Sequence, residues 1–221
     1  MVLSKGTYLL ICTMQFCWAN NLDRMEDRIN SINNFGLDKD KRTIYLYGDI
    51  TRERGWQFLI NLDILNESDG DIIVKLFSTG GDYAAGFAMF DAIKASKNKV
   101  VVEGTGEIFS MAVIILQAGY VRLLTPSSRL MIHNVFVSVT DEKLTSHYIA
   151  RYGKEMSELS LRYQQVLTQR TGLSTRKIRA WCEQEKYLDA KMAVQIGFAD
   201  KIIGVMKHEN AGKEDIDRVA S

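Results

Sequence analysis

From residue 43 onward the chain alternates short apolar, β-branched runs with longer stretches in which apolar residues recur every three or four positions. Thr43-Ile-Tyr-Leu-Tyr reads as a strand that stops at Gly48. Thr51 is placed to cap a helix carrying Trp56, Leu59, Ile60 and Ile64 at helical spacing. The alternation then repeats, with strands expected at 71–77, 99–103, 121–124 and 129–132 and helices at 83–95 and 110–118. Strands interleaved with helices predict crossover units, an α/β fold and a mainly parallel sheet, because a parallel neighbour can only be started after a crossover.

Beyond His133 the period changes. Leu144, Tyr148, Ile149, Tyr152, Met156, Leu159, Tyr163, Val166 and Leu167 recur at spacings of three and four, which predicts one long amphipathic helix over 141–170. At 1.5 Å per residue it would run roughly 45 Å, longer than a domain of this size covers with its own core. Its apolar stripe is therefore expected to meet another subunit, the alternative being a kink at Gly153 that folds the helix back. A helix capped by Ser174, a short helix from Asp189 and a strand at 201–203 follow. Residues 20–42 are polar without a stable period, so residues 1–34 read as a leader, propeptide or mobile segment, 35–205 as the packed domain and 206–221 as a polar tail.

Composition narrows the function classes. The chain has 221 residues, 28 Lys plus Arg against 27 Asp plus Glu, a net charge of +1 and 46% hydrophobic residues. Near-zero charge gives no footprint for a nucleic-acid backbone or an anionic membrane. Cys12, Cys17 and Cys182 make neither a disulfide framework nor a metal spacing, which fits a reducing, cytoplasmic setting. The apolar stretch 7–19 behind Lys5 is interrupted by Gln15 and falls short of the roughly 18 residues a membrane span needs; it resembles a poor export signal at most. Were the chain exported, Asn66-Glu67-Ser68 would be a formal glycosylation acceptor. There is one proline, Pro126, where an average usage near ~5% gives about eleven.

Only three histidines are present. His208 lies in the polar tail, His147 lies off the main stripe of the long helix, and His133 ends the apolar run Leu130-Met-Ile-His. The carboxyl ends of strands are where α/β sheets carry their sites, so His133 is the candidate acid/base group, although a histidine at a strand end is, taken alone, more often structural. Two glycine-bearing stretches precede it. Ser78-Thr-Gly-Gly-Asp leads from a strand into a helix and presents backbone N–H groups to an anion. The spacing Gly81 to Gly86 imitates a phosphate loop, but Phe87-Ala88 stand where Lys and Ser/Thr are required, which argues against nucleotide binding. In Gly104-Thr-Gly-Glu-Ile-Phe-Ser110-Met-Ala, Ser110 opens an apolar helix and by itself reads as a cap.

Together these stretches resemble the proteolytic subunit of the ATP-dependent Clp protease (ClpP), with its ClpP/crotonase fold, over about 35–205. The segments that carry the resemblance are Ser78-Thr79-Gly80-Gly81 through Ala85-Gly86-Phe87-Ala88-Met89-Phe90-Asp91, Phe109-Ser110-Met111-Ala112, Pro126-Ser127-Ser128-Arg129-Leu130-Met131-Ile132-His133, Glu185 ahead of Lys186-Tyr187-Leu188-Asp189-Ala190, and Gly197-Phe198-Ala199-Asp200. The resemblance implies a serine endopeptidase with Ser110 as nucleophile, His133 as its base, Glu185 in the place of the family's usual Asp, and the N–H groups of Gly81 and Met111 as oxyanion hole. It implies no cofactor and no metal. It further implies a homo-oligomer of two stacked heptameric rings, a tetradecamer whose ring-to-ring handle includes the long helix, a separate hexameric AAA+ unfoldase as partner, and polypeptide substrates.

Three departures from the family pattern bear on activity. Thr79 replaces a proline beside the oxyanion glycines, Asp82 brings a carboxylate next to the hole, and Ile108, Phe109 and Ala112 are bulkier than the usual neighbours of the nucleophile. They motivate the alternative of a non-catalytic or specialised ring subunit of the same fold. An acyl-CoA hydratase or isomerase of the crotonase superfamily shares the oxyanion architecture but not the Ser-Met and Met-Ile-His segments.

Overall fold

The computed structural model describes residues 23–136 and 145–204. In chain order the elements are a helix over residues 23–35 (α1), β1 Leu37–Asp38, β2 Thr43–Tyr47, α2 Arg52–Asn66, β3 Ile72–Ser78, α3 Tyr83–Ala95, β4 Val100–Phe109, α4 Met111–Ala118, β5 Val121–Leu124, β6 Arg129–Ile132, α5 Ser146–Thr171, α6 Thr175–Glu183, β7 Lys186–Asp189, α7 Ala190–Gln195 and β8 Lys201–Ile202. The sheet is ordered β1-β2-β3-β4-β5-β8, with β6 added to β4 and β7 to β6. Only the β1–β2 and β6–β7 pairings are antiparallel. The α/β class and the mainly parallel sheet expected from the alternation are what the chain forms.

One face of the sheet carries the core. Ile72, Val74 and Leu76 of β3 and Val100 and Val102 of β4 point into it, and α4 is buried along its whole length against them. The intervening residues face the other way, where Lys75 and Glu103 form an ion pair at 2.6 Å. Near the amino end of β5, Arg122, 6% exposed, donates to Gln117 Oε1, Gly197 O and the Asp200 carboxylate, which fastens β8 to the body.

Strand β4 is twice the length the sequence suggested, because the glycine-bearing stretch after Glu103 continues it. Its first half pairs with β5 and its second half with β6, and Gly106 between them has φ 61°, which only glycine adopts without strain. The sheet thus branches at β4. Strand β7, for which the sequence showed no separate signal, completes the branch by pairing with β6.

Two further expectations are corrected. The stretch 20–42, polar and without a stable period in the sequence, contains α1 and β1, tied together by an Arg28–Asp38 ion pair and a Ser31 hydroxyl on Leu37 O. Helix α2 has its Thr51 cap, but it buries Phe58, Leu62 and Leu65 rather than the stripe through Trp56, which is 68% exposed. The reason is a close approach to α3: a Cβ on Gly55 would lie 3.0 Å from that of Ala85, so the glycine side of α2 faces inward. Helix α5 is continuous through Gly153, without the alternative kink. Leu144 and the start expected at 141 lie outside the described residues.

Candidate active site

The parallel register brings three loops to one edge. Phe109 of β4 is opposite Met131 of β6, and Ser78 of β3 is opposite Ile108. Ser110, His133 and the Gly80-Gly81 turn therefore leave the sheet side by side at the carboxyl ends of β4, β6 and β3, the position where α/β sheets build sites. Ser110, His133, Gly81 and Met111 line one cavity of about 910 Å³.

Ser110 sits in a strained strand-to-helix turn with φ 54° and ψ −123°, and its hydroxyl makes no capping bond to α4. An ordinary cap serine has extended backbone and accepts an N–H of the first turn. Here the side chain is released toward the cavity, the geometry of a nucleophile at the mouth of a sheet. The backbone is pinned by Ser110 N–H on Met131 O at 2.8 Å and by Val113 N–H on Ser110 O at 3.0 Å. Gly80 is packed so closely that a Cβ on it would lie 2.6 Å from Ser110 Cβ.

The backbone donors around Ser110 can be counted. Gly80 N–H donates to Ser78 Oγ and Asp82 N–H to Ile50 O, at 3.1 and 2.7 Å. Between them Gly81 N–H has no protein acceptor among the described residues. Gly81 itself has φ 145°, and a Cβ there would lie 2.2 Å from Ile50 O, so the turn accepts glycine alone. Met111 N–H is the first donor of α4, which a helix leaves without an internal partner. Two free N–H groups and the positive end of a buried helix thus belong to residues of the cavity that Ser110 lines, an arrangement suited to stabilising developing negative charge.

His133 is half-buried, its ring lies 5.1 Å from that of Phe136, and its Nδ1 is bonded to Asn134 O at 2.5 Å. No hydrogen bond joins it to Ser110 Oγ. Asn134 is itself fixed, its N–H donating to Cys182 O at 3.2 Å and its Oδ1 accepting from Gln164 Nε2 at 2.9 Å. Glu185 meets this network only through its backbone, its N–H sharing the Cys182 O acceptor at 3.5 Å. It is exposed in the turn between α6 and β7 with φ 50°, does not line the cavity, and its carboxylate has no hydrogen-bond partner among the described residues. His147 is exposed on α5, and His208 lies outside the described residues.

The departures noted in the sequence acquire places. Asp82 caps α3, accepting from Ala85 N–H at 2.8 Å and from Arg52 Nε at 3.2 Å. The Ala85 hydrogen bond, helped by Arg52, holds its pKa below the ordinary aspartate value, so Asp82 stands as a carboxylate in the wall of the same cavity, its charge engaged by the start of α3 and by Arg52. Thr79 donates to Asp49 Oδ1 at 3.2 Å. Ile108, Phe109 and Ala112 are buried behind the site, and Phe109 packs edge-on to Tyr187 at 5.7 Å. The cavity wall is made instead by Tyr83, Phe87, Phe136, Met156 and Leu159. Met156, Leu159 and Tyr163 were read in the sequence only as part of a stripe for another subunit. Periodicity gave their side of the helix but not what it would face. Among the described residues no group of three or more His, Cys, Asp or Glu is placed to hold a metal ion.

A branched, mainly parallel sheet that brings a strained serine, two free amides and a histidine to one cavity is a ClpP/crotonase-like fold. The model of the Clp protease family matches residues 23–206. The chain is 29% identical over 165 residues to ATP-dependent Clp protease proteolytic subunit 2 of Treponema denticola, covering 73% of this chain and 81% of that one. It is 28% identical over the same length to the subunit of that name from Pseudomonas aeruginosa, again covering 73% and 81%. A solved mutant of ClpP1 from Listeria monocytogenes superposes with a TM-score of 0.68 at 28% identity, covering 75% of this chain and 92% of that one. The chain belongs to the Clp protease family, and its fold and relatives make it a peptidase subunit rather than a crotonase-type hydratase or isomerase.

Proposed function

We propose that the chain is a serine endopeptidase in which Ser110 attacks the scissile carbonyl, His133 takes the hydroxyl proton and returns it to the leaving amine, and the N–H groups of Gly81 and Met111 bind the oxyanion. The observation that carries this reading is the Ser110 hydroxyl, freed of any capping role in a strained turn on a cavity that the residues of two unused amides also line. One such donor is worth on the order of 10² to 10³ in rate. Glu185 stands at the chain position of the family's acid; it enters the mechanism only if its exposed turn closes on the imidazole, whose Nδ1 now has Asn134 O as its acceptor.

The subunit is proposed to work in a chamber of two stacked heptameric rings. Two surfaces left uncovered by the described residues support assembly: the face of the parallel sheet bearing Tyr47 and Phe77, 46% and 41% exposed, and the amino-terminal half of α5 with Ile149 56% exposed. Parallel sheets are ordinarily covered on both faces. With no phosphate-loop lysine of its own, the subunit would depend on a separate hexameric AAA+ unfoldase to feed it folded polypeptides, in a reducing cytoplasm that suits the buried, unpaired Cys182. Among the described residues no helix is long and apolar enough to cross a membrane.

Substituting Ser110→Ala should lower hydrolysis of a short fluorogenic peptide by more than about a thousandfold and abolish labelling by a fluorophosphonate. Undiminished turnover refutes the assignment. A second reading, a ring subunit without activity, is favoured by the absence of a Ser110–His133 hydrogen bond; wild-type protein that assembles but takes up no fluorophosphonate would select it.

A further inference from the structure

Helix α5 presents Ser160, Tyr163 and Gln164 on one side, at the three- and four-residue spacing of neighbours on a helix surface. All three reach the reacting segments. Tyr163, 2% exposed, donates its hydroxyl to Ser110 O at 3.2 Å. Gln164, 4% exposed, donates Nε2 to Asn134 Oδ1 at 2.9 Å, and Asn134 is the residue whose carbonyl holds His133 Nδ1. Ser160 Oγ accepts from Val135 N–H at 3.3 Å.

We propose that Tyr163 and Gln164 are positioning residues of the active site, Tyr163 holding the strained backbone of Ser110 and Gln164 holding the Asn134 carbonyl that orients His133. This rests on the serine-peptidase reading above. Two physical points support it beyond proximity. A backbone at φ 54°, ψ −123° persists only where its surroundings over-determine it, and the Tyr163 hydroxyl is one of three hydrogen bonds on Ser110's own N–H and carbonyl. Burial pushes the Tyr163 phenol well above its ordinary value, so it stays a donor at any working pH. Gln164, for its part, is a poor contributor to stability. Its Oε1 is buried without a hydrogen-bond partner among the described residues, a cost that an apolar side chain of the same shape would avoid. What the amide supplies in return is a fixed Asn134.

The test compares wild type, Tyr163→Phe and Gln164→Met as assembled full-length protein, reading peptide hydrolysis, the rate of fluorophosphonate labelling and thermal midpoint. Tyr163→Phe keeps the ring and removes only the donor. Both variants should lose about tenfold in kcat and in labelling rate, a fraction of the ~100-fold that a 1 Å misplacement costs, with KM within twofold. Gln164→Met should do so with an unchanged or higher thermal midpoint, a combination that a merely structural role would not give. Turnover and labelling within twofold of wild type in both variants overturn the proposal while leaving the peptidase reading intact. An unlabelled wild type overturns the peptidase reading and this one with it. If Gln164→Met does not fold, Gln164→Leu removes the same amide: a kcat loss of about tenfold supports the Gln164 half, and wild-type kcat overturns it.

Discussion

Ser110 illustrates how little a residue's type says before its backbone is known. A serine opening an apolar helix is most simply a cap, and the sequence offered nothing to separate that from a nucleophile except resemblance. The backbone at φ 54° separates them, because it turns Oγ away from the α4 amides. Gly81 was legible for a similar reason in reverse: a doubled glycine after a strand signals a conformation side chains cannot adopt, and φ 145° with Ile50 O in the way is that conformation. Glu185 was legible only as a position in a motif. Its exposure and the bond between His133 Nδ1 and Asn134 O give it little part in orienting the ring. Glu185→Gln is therefore expected to lower kcat less than about tenfold, against the roughly 10⁴-fold loss on disabling the acid of a working triad, with kcat/KM for a short peptide as the measurement.

Among the elements, the strongly periodic and well-capped ones were readable. Helix α3 occupies the span expected for it, from the Asp82 cap to Ala95, and β2, β5 and β6 likewise. The misreadings share a cause, since periodicity ranks faces by apolarity while packing ranks them by shape. Helix α2 shows this at Gly55, where close approach to Ala85 chose the side. Helix α1 was missed because polar contacts hold it, the Arg28–Asp38 ion pair, the Ser31 hydroxyl on Leu37 O and Asn61 Nδ2 on Phe35 O, rather than an apolar stripe. Asp38, fully buried, bonds Arg28 through both carboxylate oxygens, and the Arg28 hydrogen bonds hold its pKa below the ordinary aspartate value. A carboxyl with a depressed folded-state pKa stabilises the fold above its unfolded value, near 3.9, and that contribution is lost as pH falls through the folded value. Asp38→Asn should thus lower the thermal midpoint at pH 7, and the gap from wild type should close as the pH drops below about 3.9. Melting curves across that range would check it.

At the scale of the molecule, the described residues form a body with two uncovered apolar surfaces, the open sheet face and the first half of α5. Ile149, 56% exposed, marks the latter. Ile149→Asp is expected to shift the protein toward smaller species in analytical ultracentrifugation while far-ultraviolet circular dichroism stays unchanged, because a charge on an apolar contact disfavours association and not the monomer fold. The alternation of apolar periods determined the α/β class, the parallel sheet and the long helix, since those follow from local period and from the need for crossovers. The motifs determined which serine, histidine and glycines to watch. Which side of α2 faces inward, that β4 branches the sheet, and that α5 reaches over Ser110 and Asn134 were decided only in three dimensions. Each depends on contacts between segments dozens of residues apart, Tyr163 with Ser110 and Gly55 with Ala85 among them, and no local pattern in the chain encodes a distance across the fold.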